Sequence, residues 1–138
     1  MVNIRFSNRD DWAFLLKNTR LTEHQISVKT DSQELIIAQN NSENVGLLIL
    51  DLLWNHIPFI ANIWVAENNR GKGIGKALLK FLENHLIKLN AKVVFSSSME
   101  TALKAQEWHN KMGFSKTGTI HNINDNNVGE VFFRKELN

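Results

Sequence analysis

The sequence predicts a mixed α/β (α+β) fold, a mostly antiparallel sheet flanked by helices, in one domain spanning residues 1–138. Three observations carry that prediction. Short apolar stretches of strand length recur from one end of the chain to the other. Between them lie segments whose apolar residues repeat at helical spacing. Their order mixes direct hairpin connections with longer helical crossovers, so the sheet must hold both strand directions.

Taken in order, Val2 to Phe6 alternates as a short strand. Ser7 or Asn8 offers a cap for a first helix whose apolar side carries Trp12, Leu15 and Leu16. Thr22 to Val28 reads as a short second helix. "ELIIAQ" and "VGLLILDLLW" form an antiparallel pair joined by the turn-rich "NNSEN". "PFIANIWV" is the next strand, opened by the chain's only proline, Pro58, at a first position where no ladder N–H is lost. Residues 73–89 have the clearest helical pattern: Ile74, Leu78, Leu79, Leu82, Leu86 and Leu89 share one face, with Lys80, Glu83, Asn84 and Lys88 away from it. "AKVVFSS" follows as a strand. A helix from Thr101 to Met112 stops at Gly113, a residue suited to the left-handed position after a helix end. "FSKTGTI" and "VGEVFFRKEL" close the chain as a hairpin across "HNINDNN".

Composition removes several functions. The chain is 43% hydrophobic and 22% charged, as ordinary globular domains are. A net charge of +2 is too small to argue for a nucleic-acid partner, and none is expected. The most apolar segment, "VGLLILDLLW", is too short to span a bilayer and carries Asp51, so no membrane partner is expected. "MVNIRFSNRDDW" lacks the apolar run of a secretory signal, and the expected location is cytoplasmic. There is no cysteine, hence no disulfide, no thiolate metal site and no cysteine nucleophile; no metal is expected. Tyrosine is absent too.

The chemistry concentrates in "NIWVAENNRGKGIGKALLKFLE", residues 62–83. A helix start already carries partial positive charge on its unpaired N–H groups, and sequences normally place acids there. Here Arg70, Lys72 and Lys76 gather instead, with no acid between Asn68 and Leu82. Each exposed cation opposes the helix dipole by about 0.3–1 kcal/mol. An anion bound at the turn removes the conflict. Gly71, Gly73 and Gly75 let the backbone approach that anion and aim several N–H groups at it. A solvated basic turn is the plainer alternative. Two other phosphate loops fail on spacing. The dinucleotide fingerprint needs glycine where Lys76 stands, and the triphosphatase loop needs four residues between its glycines, whereas Gly71 and Gly75 enclose three.

What fits is Arg-x-x-Gly-x-Gly at Arg70, Gly73 and Gly75, which resembles the pyrophosphate-binding segment of the GCN5-related N-acetyltransferase family. "WVAENNRGKGIGKALLKFLE" looks like that family's strand, turn and helix, and "VVFSSSMETALKAQEWHNKMGF" is similar to its next strand and helix, ending in Gly113-Phe114. The resemblance covers most of the chain and is weakest over the first thirty or so residues. It implies a transferase that takes acetyl-CoA as co-substrate. The acceptor it implies is an amine of a small molecule or peptide. By the same resemblance, backbone groups of Ile63, Trp64 and Val65 pair with the pantetheine arm. N–H groups from Gly71 through Lys72, Gly73, Ile74 and Gly75 to Lys76 hold the pyrophosphate, with charge from Arg70 and Lys76.

The resemblance breaks in the helix before Gly113. Many members place a tyrosine where this chain has His109, to serve the departing thiolate, and an asparagine where it has Ala102 or Thr101. Ala102, Ala105, His109 and Met112 share a helical face, so His109 is the candidate catalytic residue; a core or surface histidine is the alternative. A thiol with a pKa of about 8.5 leaves tolerably near neutrality, whereas an alkyl amine near ~10.4 must first lose a proton. The base matters more, and the sequence does not identify it. The usual strand positions hold Asn62 and Trp64; Glu67, Asp51, His56, Glu23 and His24 remain. Trp54 and Trp64 are candidates for walls of an acceptor pocket, with buried packing the plainer reading. With no cysteine to carry an acyl group, the simplest mechanism is direct attack in a ternary complex, its oxyanion met by a backbone N–H near Val65. A non-catalytic acyl-CoA-binding module of the same fold is the alternative, and a nucleotide-binding protein a remote third. A homodimer is among the options for assembly.

Overall fold

The computed structural model describes residues 1–138. In chain order the elements are β1 (Val2–Phe6), a 3-10 turn (Arg9–Asp11), α1 (Trp12–Asn18), α2 (Glu23–Asp31), β2 (Leu35–Asn40), β3 (Glu43–Leu53) and β4 (Ile57–Val65). A second 3-10 turn (Glu67–Asn69), α3 (Ile74–Lys88), β5 (Val93–Met99), α4 (Leu103–Lys111), β6 (Ser115–Ile120), a third 3-10 turn (Asp125–Asn127) and β7 (Glu130–Glu136) follow. The strands form one seven-stranded sheet in the order β1-β2-β3-β4-β5-β7-β6. The pairs β1/β2, β2/β3, β5/β7 and β6/β7 are antiparallel. β4 and β5 are parallel, paired as Phe59↔Phe95 and Ile60↔Ser96. That exception follows from connectivity: a helix, α3, joins these two strands, and a crossover returns the chain in its original direction. The expected mixed, mostly antiparallel sheet is the one formed.

Contacts divide the chain into two compact units. One holds Met1–Leu50 with Asn62–Asn84, the other Asp51–Ala61 with His85–Asn138. In the first unit β2 and the middle of β3 are buried on both faces, which is why they read as continuous apolar runs. Leu35 and Ile37 of β2 and Leu47 and Ile49 of β3 pack with Leu15 of α1 and Ile26 of α2. Their strand neighbours Ile36 and Leu48, which alternate to the opposite face, are buried as well. On β1, Phe6 meets Phe81 of α3 edge to face at 5.0 Å. β2 and β3 join through Asn41 and Ser42 at φ 51° and 69°, a two-residue hairpin turn needing positive φ at both positions. The expected "NNSEN" loop is therefore shorter, and β3 begins at Glu43.

Capping decides where the first helices begin. Asn8 caps the 3-10 turn: its Oδ1 accepts from the Asp10 N–H, and the Asp11 carboxylate reaches back to the Asn8 N–H at 2.8 Å. α1 therefore starts at Trp12, later than an Asn8 helix cap implied, and Leu16 lies exposed. Thr22 and Gln25 form a reciprocal capping box that opens α2. Asp11 is 1% exposed. It accepts two bonds from Arg5, at 2.7 and 2.8 Å, and one from Asn44 at 2.9 Å. Burial pushes its carboxyl up, but the bonds from Arg5, Asn8 and Asn44 outweigh that and hold it below the usual range.

α3 buries Ile74, Leu78, Leu79, Leu82 and Leu86 as its stripe predicts. Leu89 departs from that pattern. The helix ends at Lys88, Asn90 turns left-handed at φ 65°, and Leu89 is 63% exposed. In the second unit Phe59 stacks on Phe132 at 5.7 Å, and Val94, Phe114, Val131 and Phe133 are buried. The turn between β3 and β4 carries Trp54 and Asn55 at φ 51° and 65°, with Trp54 79% exposed. No helix is long and apolar enough to cross a membrane.

Candidate functional site

The strand end and the glycine turn belong to the first unit. Ile63, Trp64 and Val65 are half-buried, and the Ala66 N–H donates to the Val45 carbonyl at 2.7 Å, fastening the end of β4 to β3. The Trp64 ring lies 6.1 Å from Phe14 and packs against the cluster around Leu15 and Leu47. It also borders a cleft of about 600 Å³ with Phe14, Asp10, Lys17, Glu43 and Asn44. Its side chain therefore both packs and faces open space.

After Val65 the chain makes the 3-10 turn Glu67–Asn69 and reaches the glycines. Gly71 and Gly73 stand at φ +75° and +80°, and a Cβ built on either meets nothing within 4 Å. Their requirement is conformational: an L-residue there costs about 1–2 kcal/mol. The open space beside them leaves room for a group to lie against the backbone. The Gly73 carbonyl takes the first helical bond, from the Ala77 N–H at 3.0 Å, which makes Gly73 the cap residue of α3. A glycine cap has no side-chain oxygen to offer the N–H groups of Ile74, Gly75 and Lys76, and the first turn holds no acid. Arg70, Lys72 and Lys76 are exposed around it. Room, convergent donors and positive charge are what a diphosphate requires.

Two contacts fix this turn. A Cβ at Gly46 of β3 would come within 3.1 Å of the Trp64 carbonyl and 3.4 Å of Ile74 Cγ2, so glycine there lets the start of α3 settle onto the sheet. Arg70 folds back, its Nε–H donating to the Val65 carbonyl at 2.8 Å.

His109 lies in the second unit. It is 3% exposed, turned inward from α4. Its ring stacks flat on Phe133 at 4.4 Å and meets Trp108 and Phe114 edge-on. Nδ1 lies 2.7 Å from the Ala105 carbonyl and Nε2 2.8 Å from Ser96 Oγ. A carbonyl only accepts, so Nδ1 carries the hydrogen. In the neutral ring Nε2 then accepts, and the Ser96 hydroxyl donates. Burial pushes the imidazole below the usual histidine range, against the opposing pull of the Ala105 carbonyl and the Glu130 charge. Both ring nitrogens are thus engaged inside the core. This placement is that of the core histidine weighed as the alternative to the catalytic reading.

The comparisons with known proteins bear on the whole arrangement. The sequence profile of the acetyltransferase (GNAT) family matches residues 3–114. The chain belongs to the GNAT acetyltransferase family. No curated protein matches it significantly. Among solved structures, an N-acetyltransferase from Staphylococcus aureus Mu50 superposes with a TM-score of 0.85 at 18% identity, over 100% of this chain and 99% of that one. Ard1 from Thermoplasma volcanium gives 0.84 at 16% identity, over 99% and 98%. A Bacillus anthracis protein assigned as a streptothricin acetyltransferase, solved in complex with acetyl coenzyme A, gives 0.70 at 19% identity over 75% of this chain. This chain spans 62% of that protein's length. At such identities these structures establish the GNAT fold and nothing finer.

Within this GNAT chain the first unit brings together Ile63, Trp64, Val65 and residues 70–76, as one strand end and one helix start. The second unit holds His109 by itself, in a packed environment. Of the acids and histidines weighed as a base, Glu23, His24, His56 and Glu67 are exposed. Two further polar groups carry no signal in the sequence. Ser96, buried, is the partner of His109. Glu130 accepts from Ser97 Oγ at 2.6 Å and from Asn124 Nδ2 at 2.9 Å. The Ser96 bond joins β5 to α4 and the Ser97–Glu130 bond joins β5 to β7, and no local pattern announces either.

Proposed function

We propose that this GNAT acetyltransferase moves the acetyl group of acetyl-CoA to a primary amine of a small molecule or peptide. The observation that carries the reading is the start of α3: a glycine cap, two left-handed glycines, three cations and no acid. N–H groups from Gly71 to Lys76 hold the pyrophosphate, Arg70 and Lys76 add charge, and the backbone of Ile63–Val65 takes the pantetheine arm. Acetyl-CoA, when bound, supplies an activated acetyl thioester. The chain has no cysteine to hold that acetyl, so the amine receives it directly. His109 has no proton-transfer role in this reading.

One observation favours a second reading, a module that binds acyl-CoA without turnover: the residue at the expected tyrosine position is closed in the core. Incubation with acetyl-CoA and a panel of amines separates the two, with coenzyme release followed by a thiol reagent. A cysteine-free protein gives no thiol background. Thermal stabilisation by acetyl-CoA together with amine-dependent release is expected. Stabilisation with no release across the panel favours the binding module, and no stabilisation at all overturns both.

A further inference from the structure

We propose that Glu130 holds the ammonium group of the acceptor amine, whose carbon body lies against Phe132 and Phe59. The inference rests on the acetyltransferase reading above and names the kind of acceptor it serves: an amine that is charged in solution and carries an apolar chain or ring. The residues concerned all belong to the second unit. Burial alternates along β7. Val131 and Phe133 are buried, and on that side His109 of α4 stacks on Phe133. Their alternates Glu130 and Phe132 are half-buried, as is Ser97, which stands opposite Phe132 on β5. Met99 and Ile120, beside Glu130 in register, are each 47% exposed. This face of the sheet is therefore only partly covered, and Phe59 lies on it, stacked on Phe132 at 5.7 Å.

The Glu130 carboxylate is fixed by neutral donors: Ser97 Oγ on Oε2 at 2.6 Å and Asn124 Nδ2 on Oε1 at 2.9 Å. Those bonds set its position without cancelling its charge. Its two oxygens offer about four acceptor positions, so about two stay open. Arg134 and Glu136, further along the same strand face, pair with each other at 3.3 Å and do not answer that charge. An alkyl amine, with a pKa near ~10.4, is an ammonium at neutral pH. It donates to a carboxylate in a charge-assisted bond and is attracted to aromatic ring faces. A fixed carboxylate beside an aromatic pair supplies both. A side chain kept only to tie the loop before β7 to β5 would serve as well as a neutral amide.

That difference sets the test. In Glu130→Gln the amide oxygen still accepts from Asn124 and the amide N–H donates to Ser97 Oγ, so the tie is kept and the charge is lost. The probe is phenethylamine, with phenethyl alcohol as its neutral counterpart. Each is titrated into the protein with and without coenzyme A while the amide resonances of Ser97, Glu130 and Phe132 are followed by NMR. Saturable shifts are expected with the amine in at least one condition. The alcohol should bind wild type about tenfold or more weakly than the amine, and Glu130→Gln should weaken the amine by a similar factor. In thiol-release assays the same variant should raise the KM for the amine about tenfold and leave the KM for acetyl-CoA within about twofold. Equal binding of amine and alcohol by wild type, a comparison that needs no variant, overturns the inference. So does unchanged amine affinity in Glu130→Gln, or the absence of shifts at these residues in both conditions. If the wild type is not stabilised by acetyl-CoA, the proposed function fails, and the titration without coenzyme still decides this point.

Discussion

At the residue scale, His109 stands where the family resemblance puts a tyrosine, yet its ring serves the interior of α4, β5 and β7. Its spacing with Ala102, Ala105 and Met112 identified the helical face it occupies. What lies against that face depends on Ser96 and Phe133, which arrive from other parts of the chain. That is why the side chain's face was legible and its duty was not. The consequence is a prediction opposite to a catalytic one. His109→Ala removes a packed ring and leaves the Ser96 hydroxyl without its acceptor, so unfolding free energy should fall by about 2–4 kcal/mol in urea titrations. Turnover per folded molecule should be unchanged. A large loss of turnover at unchanged stability would return His109 to the chemistry.

At the element scale, α3 was the most legible part of the molecule because two independent signals, an apolar stripe and a glycine-rich start, agree on it. Its far boundary falls short of the apolar stripe, which continues through Leu89 although Asn90 has already turned the chain. Gly73→Glu places a side chain at φ +80° and a carboxylate where the helix start is most positive. With nothing within 4 Å to clash, the cost in stability should stay near the 1–2 kcal/mol of a left-handed L-residue, while coenzyme A binding measured by calorimetry is abolished. Affinity unchanged from wild type would refute the pyrophosphate assignment. Gly46 was unreadable as anything but a glycine in a strand. Its importance comes from the Trp64 carbonyl and Ile74 drawing close to it in three dimensions. Gly46→Val overfills that gap, and a loss of about 1–3 kcal/mol is expected in thermal or chemical unfolding. A fully stable valine variant would show that α3 has room to shift.

At the scale of the whole molecule, the mixed sheet could be inferred from element order, since hairpins and one helical crossover leave few alternatives. Strand-level detail needed the turns, where asparagine and serine take left-handed conformations that shorten the loops. Titration acts on the molecule as a whole. Burial, with Lys88 adding to it at His85, pushes the imidazoles of His109 and His85 below their reference of 6.5. The unfolded chain takes up these protons first, so stability is full above pH 6.5 and is lost as pH falls from there toward the folded values. A second loss belongs to Asp11, whose contribution is present above 3.8 and disappears below it as the carboxylate protonates in the fold. Urea midpoints followed from pH 8 to 3 should fall in two stages, and His109→Gln should flatten the upper one; a midpoint constant between pH 8 and 5 would contradict this account. The placement of the indoles has a practical side. A protein with no tyrosine emits from tryptophan alone, and Trp54, out in solvent, contributes a red, constant background. Of the four tryptophans, Trp64, whose ring rests on Phe14 and whose backbone belongs to the end of β4, lies nearest along the chain to the glycine turn. The coenzyme binding proposed at the glycine turn should therefore change the intrinsic fluorescence with no label attached, and Trp64→Phe should remove that change.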